Sequence, residues 1–292
     1  MPDQTRDPKG LLSLGHGYSA RYLARRLLPQ GWTIFGTTRD PSKFEQISAT
    51  GVTPIPWERA AIADALAQCT KLLISAGPNP SGDPAMDMVG DLLSQSSHIS
   101  WTGYLSTTGV YGDHQGGWVD EDTDLTPATA RGMARVKAEA AWQELARTTN
   151  LNLHIFRLAG IYGPGRGPFS KLRNGTARRI IKPNQLFSRI HVEDIAQVLE
   201  ASIRNPNPGA IYNLCDDNPA PPEDVLEYAA NLLGLPVPPP EDWERAEMTP
   251  MARSFYSESK RVRNEKIKRE LGVTLIHPTY QSGLTALLQD ET

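Results

Sequence analysis

Gly15-His16-Gly17-Tyr18-Ser19-Ala20 has the spacing G-x-G-x-x-A. Small residues at these positions permit a tight turn and let backbone N–H groups approach a pyrophosphate, which the positive end of a following helix also attracts. The pattern gains weight from its setting, between the apolar run Leu11-Leu12-Ser13-Leu14 and a helical stretch at 20–28. Together they predict a dinucleotide site at the first turn. Arg39 stands 22 residues past Gly17, after the β-branched run 33–38. An arginine there favours the 2′-phosphate of NADP, whereas an acid favours the ribose hydroxyls of NAD. NADP(H) is therefore expected, with Ser42 and Lys43 assisting; Asp40 keeps NAD(H) as the alternative. The expected cofactor residues are Gly15, His16, Gly17, Tyr18, Ser19, Ala20 and Arg39, with Ser75 and Ala76 at the end of the run 72–76.

The elements that must position these residues are legible as alternating periods. Apolar runs at 11–14, 33–38, 52–56, 72–76, 104–107 and 153–158 are separated by helical stretches at 20–28, 60–67 and 129–147. Such alternation predicts an α/β fold with a Rossmann-like doubly wound parallel sheet. Pro54 and Pro56 demote the third run to an edge or weak strand. After Gly163 the chain becomes rich in glycine, proline and basic residues. Then come an amphipathic helix at 192–204, a strand at 210–214, a helix at 221–234 and a proline-rich linker at 236–240. The expected organisation is a dinucleotide-binding domain over 8–164, with strands returning near 190–215. A smaller C-terminal substrate domain is expected from 165–189 and 216–292, with the ligand in the cleft between the two.

The 292 residues are 39% hydrophobic and 22% charged, enough apolar matter for a sizeable core. Thirty Lys and Arg against 33 Asp and Glu leave a net charge of −3, which argues against general nucleic-acid binding. No apolar run nears the roughly 20 residues of a membrane-spanning helix, and the first ten residues are too polar for a signal peptide. Cys69 and Cys215 are too few and too far apart for a disulfide framework or zinc site. A soluble cytoplasmic protein is expected.

At Tyr104-Leu105-Ser106-Thr107-Thr108-Gly109-Val110-Tyr111-Gly112 the sequence resembles the extended short-chain dehydrogenases/reductases, the group of nucleotide-sugar epimerases and dehydratases. Val119-Asp120-Glu121, Arg157-Leu158-Ala159-Gly160-Ile161-Tyr162-Gly163-Pro164-Gly165, Arg189-Ile190-His191-Val192-Glu193-Asp194 and Ser259-Lys260-Arg261 extend the resemblance along nearly the whole chain. It implies that Thr107 orients the reacting oxygen. It also implies a Tyr and, four residues later, a Lys on the next helix, exchanging a proton while a hydride moves to or from the nicotinamide.

That tyrosine is absent. Aligning on Lys137 puts Met133 in its place; aligning on Gly132, Val136 and Glu139 puts Arg131 at the tyrosine and Arg135 at the lysine. The second register explains more neighbours and is preferred. Neither supplies a phenol, since methionine does not titrate and arginine stays protonated. Arg131 and Arg135 either lie in solvent, Arg135 paired with Glu139 one turn on, or turn Arg131 inward to bind an anion. Tyr111 is the alternative acid, with packing of its loop as the blander role. Thr107, Tyr111, Arg131 and Arg135 are thus the candidate catalytic residues.

Residues 145–192 contain no Asp or Glu but hold Arg166, Lys171, Arg173, Arg178, Arg179, Lys182 and Arg189. Clustered cations attract an anionic small molecule, and Arg166, Lys171 and Arg189 are the candidate substrate residues. The resemblance places this segment beside a nucleotide-sugar site. The six histidines form no H-x3-H or H-E-x-x-H spacing, so no metal site is expected, and His191 reads as structural. The sum is an atypical NADP(H)-dependent oxidoreductase or epimerase acting on an anionic, nucleotide-linked small molecule, able to pair as a homodimer. The competing reading is a non-catalytic dinucleotide-binding sensor or scaffold.

Overall fold

The computed structural model describes residues 9–290. The polar opening of the chain and the outermost limits expected for the two domains, residue 8 and residues 291–292, lie outside the described residues. Strands β1 (Gly10–Leu14), β2 (Thr33–Thr38), β3 (Thr53–Pro56), β4 (Lys71–Ile74) and β5 (Trp101–Thr107) are joined by Leu153–Leu158 and Ile211–Leu214 into one seven-stranded sheet. Its order is 211–214, 153–158, β5, β4, β1, β2, β3. The chain winds outward from β1 in both directions, which makes this a parallel, Rossmann-like α/β fold. All residues of β1 and β4 are buried, as a sheet covered by helices on both faces requires. β3 takes the edge, where Pro54 and Pro56 cost least.

Two compact units divide the chain. The first holds the described residues to Ser106, Ala134–Arg157 and Ile195–Tyr212. Its core joins Leu12, Leu14, Ile62, Leu72, Ile74, Val89, Tyr104 and Trp142. The helix Pro84–Ser94, which the periodicity did not register, completes this core. Asp83 caps it by accepting the N–H groups of Ala85 and Met86, and its other oxygen accepts Trp142 Nε1 at 2.9 Å.

The second unit comprises Thr107–Met133, Leu158–Asp194 and the chain from Asn213 onward. Tyr162, Phe169, Leu172, Val225, Ala229, Tyr280 and Leu284 form its core. The basic stretch carries a short helix, Phe169–Arg173, and two short strands, Arg179–Ile181 and Arg189–His191. Pro240 ends the proline-rich segment by opening a strand, Pro240–Asp242, that pairs with Arg179–Ile181. No helix among the described residues is long and apolar enough to cross a membrane.

Candidate functional site

The glycine turn lies in the first unit, at the end of β1. Gly15 has φ +82°, and a Cβ there would stand 2.8 Å from the backbone nitrogen of Ala76, so only glycine closes this turn. Ser75 and Ala76 both donate to the Leu14 carbonyl at 2.9 Å, which ties the end of β4 to the turn. Thr37 anchors the other side: its hydroxyl accepts Gly15 N–H at 2.7 Å and its carbonyl accepts His16 N–H at 2.9 Å. Gly17 then opens α1 (Tyr18–Leu27) with no side-chain cap and no acid in the first turn. A Cβ at Gly17 would find nothing nearer than 3.9 Å, so the space before this helix end is open.

His16 points its ring inward, against Gly36, with neither nitrogen hydrogen-bonded. Burial first, and then the charge of Arg21, pull its pKa down to about 4, so it is neutral at physiological pH. Its contribution to the turn is therefore its backbone. At the end of β2, Arg39 is exposed and its guanidinium lies 5.0 Å from the Trp57 ring centre. Asp40 is otherwise occupied: it accepts both Ser42 N–H and the Ser42 hydroxyl, which hold its carboxyl below the usual range.

The long helix Ala130–Thr149 begins in the second unit and continues in the first. Met133 and Lys137 are exposed. Arg135 is half-buried, Nη1 donating to the Leu105 carbonyl at 2.6 Å and the Tyr104 hydroxyl at 3.2 Å. Its Nη2 lies so near Gly77 that a Cβ there would be 2.7 Å away. The first unit thus brings together the glycine turn, Ser75, Ala76 and, one residue on, the Arg135 guanidinium.

Arg135 does not pair with Glu139. That carboxylate is buried and accepts Ser106 Oγ and the Arg157 guanidinium, with Arg157 Nη2 at 2.8 Å. The exposed Arg135–Glu139 pair is replaced because Arg157, on the adjacent strand, reaches the carboxylate from inside the sheet layer.

In the second unit, Thr107 ends β5 and its hydroxyl accepts Gly109 N–H at 3.1 Å. Tyr111 is fully buried and donates to Asn213 Oδ1 at 2.7 Å. Its phenol is thus enclosed and engaged in the loop that follows β5. Arg131 is exposed, 4.9 Å from the Phe255 ring centre, and holds no inward position.

The basic stretch is partly neutralised by acids that follow it in the chain: Arg178 pairs with Glu241 and Arg179 with Glu227. Lys182 donates to the Tyr256 carbonyl. Arg166 and Lys171 are exposed. Arg189 is half-buried, donating to the carbonyls of Phe187 (2.9 Å) and Ala220 (3.0 Å), and its carbonyl accepts Asp216 N–H at 2.6 Å.

Asp216 is a residue the sequence reading did not single out. Its carboxyl is buried with Oδ2 unpartnered, and desolvation lifts its pKa to about 7 against the opposing Asn218 N–H and Arg189 charge. Nothing in the local sequence marks its burial.

Comparison with known proteins fits this geometry. Residues 95–215 match the family model described as NAD dependent epimerase/dehydratase family. A functionally unknown conserved protein from Silicibacter pomeroyi DSS is 59% identical, with 97% of this chain and 99% of that one covered at a TM-score of 0.92. Protein YeeZ of Escherichia coli K12 is 29% identical over 79% of this chain and 86% of its own. UDP-glucuronic acid 4-epimerase from Bacillus cereus, solved in complex with NAD, has the same fold at 16% identity, a TM-score of 0.75 and coverage of 96% and 97%. The open glycine turn heads a doubly wound sheet, and the segment that matches the NAD dependent epimerase/dehydratase family model runs from just before β5 to the last sheet strand.

Proposed function

We propose that the first unit binds NADP(H) and that the protein is an atypical oxidoreductase or epimerase for an anionic, nucleotide-linked small molecule. The observation that carries this is the continuity from Gly15, closed on Ala76, to Arg135 against Gly77. A pyrophosphate fits the uncapped end of α1, where Gly17 leaves space, the first turn carries no acid and His16 is neutral. Arg39, exposed beside Trp57, is the group for a 2′-phosphate, while Asp40 is spent on Ser42.

A bound nicotinamide supplies hydride transfer. The chain's own residues hold it and orient the reacting oxygen. Arg135, inward on the long helix, supports the register in which it stands at the family's lysine. It contributes a permanent cation and no exchangeable proton. Thr107 is proposed to orient the substrate, with Arg166, Lys171 and Arg189 as the cations for its anionic part. The Bacillus cereus neighbour carries UDP-glucuronic acid in its name, an anionic sugar nucleotide, which supports that substrate class. A cytoplasmic location and a homodimer accompany this reading.

A second reading is favoured by one observation: Arg131 is exposed and Tyr111 is enclosed, and neither arginine position supplies a phenol. On that reading the protein binds the dinucleotide as a sensor or scaffold. Titration of the cofactor-free protein with NADPH and, in parallel, NADH, followed by nicotinamide fluorescence, tests the shared step. Tighter NADPH binding is expected. Binding of neither cofactor would sink both readings, and NADPH binding without turnover of any anionic sugar nucleotide would select the second.

A further inference from the structure

Three side chains that no local spacing connects meet in the second unit. His191 ends the strand Arg189–His191, Glu193 lies in the first turn of the helix Val192–Arg204, and His277 arrives 84 residues after Glu193. We infer that His191, Glu193 and His277 form a binding site for a divalent transition-metal ion, zinc(II) foremost. This inference is independent of the cofactor reading.

One donor atom from each residue lies within 4.8 Å of the other two. His277 Nε2 is 2.8 Å and His191 Nδ1 3.8 Å from Glu193 Oε2. Tetrahedral zinc with bonds of about 2.0–2.2 Å sets its donors about 3.3–3.6 Å apart, so the two separations bracket what the ion needs. The imidazole centres, 3.9 Å apart, would have to separate by about 1 Å to admit it. Two imidazoles and a carboxylate are borderline donors that suit zinc and its first-row neighbours rather than magnesium or calcium.

The surroundings are arranged as a metal site requires. Asp194 is wholly buried, and its two oxygens accept the N–H groups of Ile276 (2.6 Å) and His277 (3.1 Å). The backbone carrying His277 is thereby fixed to the helix turn that carries Glu193, so little ordering remains to oppose metal capture. The His191 ring is 2% exposed, its edge geometry with Tyr162 sets its plane, and its Nε2 has no partner. Its Nδ1 receives only a long contact, 3.3 Å from Glu193 N–H, which a metal bond would readily replace. Glu193, at 41% exposure, leaves one side open to solvent, where water completes the coordination.

The test uses the full chain, stripped with a chelator and titrated with zinc(II) alone against a chromophoric competitor. One saturable equivalent is expected with a Kd below about 1 µM, together with a rise in Tm. His277→Gln and Glu193→Gln should each weaken binding at least tenfold and abolish the Tm rise. His191 and His277 are buried, so replacing either risks the fold. Glu193→Gln, on the exposed carboxylate, keeps the test interpretable, with circular dichroism confirming the native structure. Absence of a saturable equivalent in the wild type, or one that survives both substitutions, overturns the site.

Discussion

The imidazole of His16 fills the space over Gly36: a methyl group at Gly36 would stand 2.6 Å from His16 Cγ and 2.8 Å from its Cβ. The ring cannot retreat, because His16 N–H is held by the Thr37 carbonyl next in the same strand. Gly36→Ala should therefore displace the glycine turn, costing about 1–3 kcal/mol as overpacking does and weakening NADPH binding. Adding His16→Ala removes the ring but keeps the Cβ, so it should restore only part of the stability. Urea unfolding of both variants checks this, and an unchanged midpoint for Gly36→Ala would contradict the contact.

Arg39 makes its one described contact with Trp57 and lies at the surface, so its removal should leave the fold intact. Arg39→Ala is expected to weaken NADPH by about tenfold or more, some 1.4 kcal/mol, and to leave NADH unchanged. Equal losses for the two cofactors would assign Arg39 to general electrostatics instead of the 2′-phosphate.

The Glu139–Arg157 pair is 2% and 3% exposed, with Ser106 as a third member. Glu139→Ala strands a buried guanidinium and should cost about 3–5 kcal/mol. Replacing both partners by apolar residues, Glu139→Leu with Arg157→Met, should recover much of that loss. Thermal melts of the single and double variants decide it; additive losses would mean that the two charges are not coupled.

Asp216 gives a pH signature of defined sign. Its folded pKa, about 7, lies above the unfolded value near 3.8, so the native state binds more protons between those pH values. Its protonated form adds stability that is complete below about pH 4 and is lost as pH rises through 7, on the order of 4 kcal/mol at most. Asp216→Asn should flatten stability over that window. A wild-type profile that rises from pH 4 to 7, with Asp216→Asn unchanged in slope, would refute the shift.

What the sequence made legible was local. The G-x-G turn, the edge position of Pro54 and Pro56 and the helix Val192–Arg204 each rest on neighbouring residues, and the structure shows the same elements. The helix Pro84–Ser94 carried a readable signal in Asp83-Pro84, an N-cap followed by proline at the first helical position, but its apolar residues lack a clean stripe. The rest depended on chain reversal. Arg157 claims Glu139 across 18 residues, Glu227 and Glu241 meet the basic stretch from far downstream, and Asp216 owes its raised pKa to burial. His191 and His277, read separately, suggested no metal; only the fold brings their rings within 3.9 Å.

The two prolines of β3 have one more consequence. Residues 54 and 56 are two apart, so both missing N–H groups are lost from the same side of the strand. β3 pairs with β2 along its inner side, which leaves the outer rim of the sheet short of donors. A strand from another molecule would find there carbonyls without matching N–H groups. That makes this edge of the sheet a poorer template for an incoming strand.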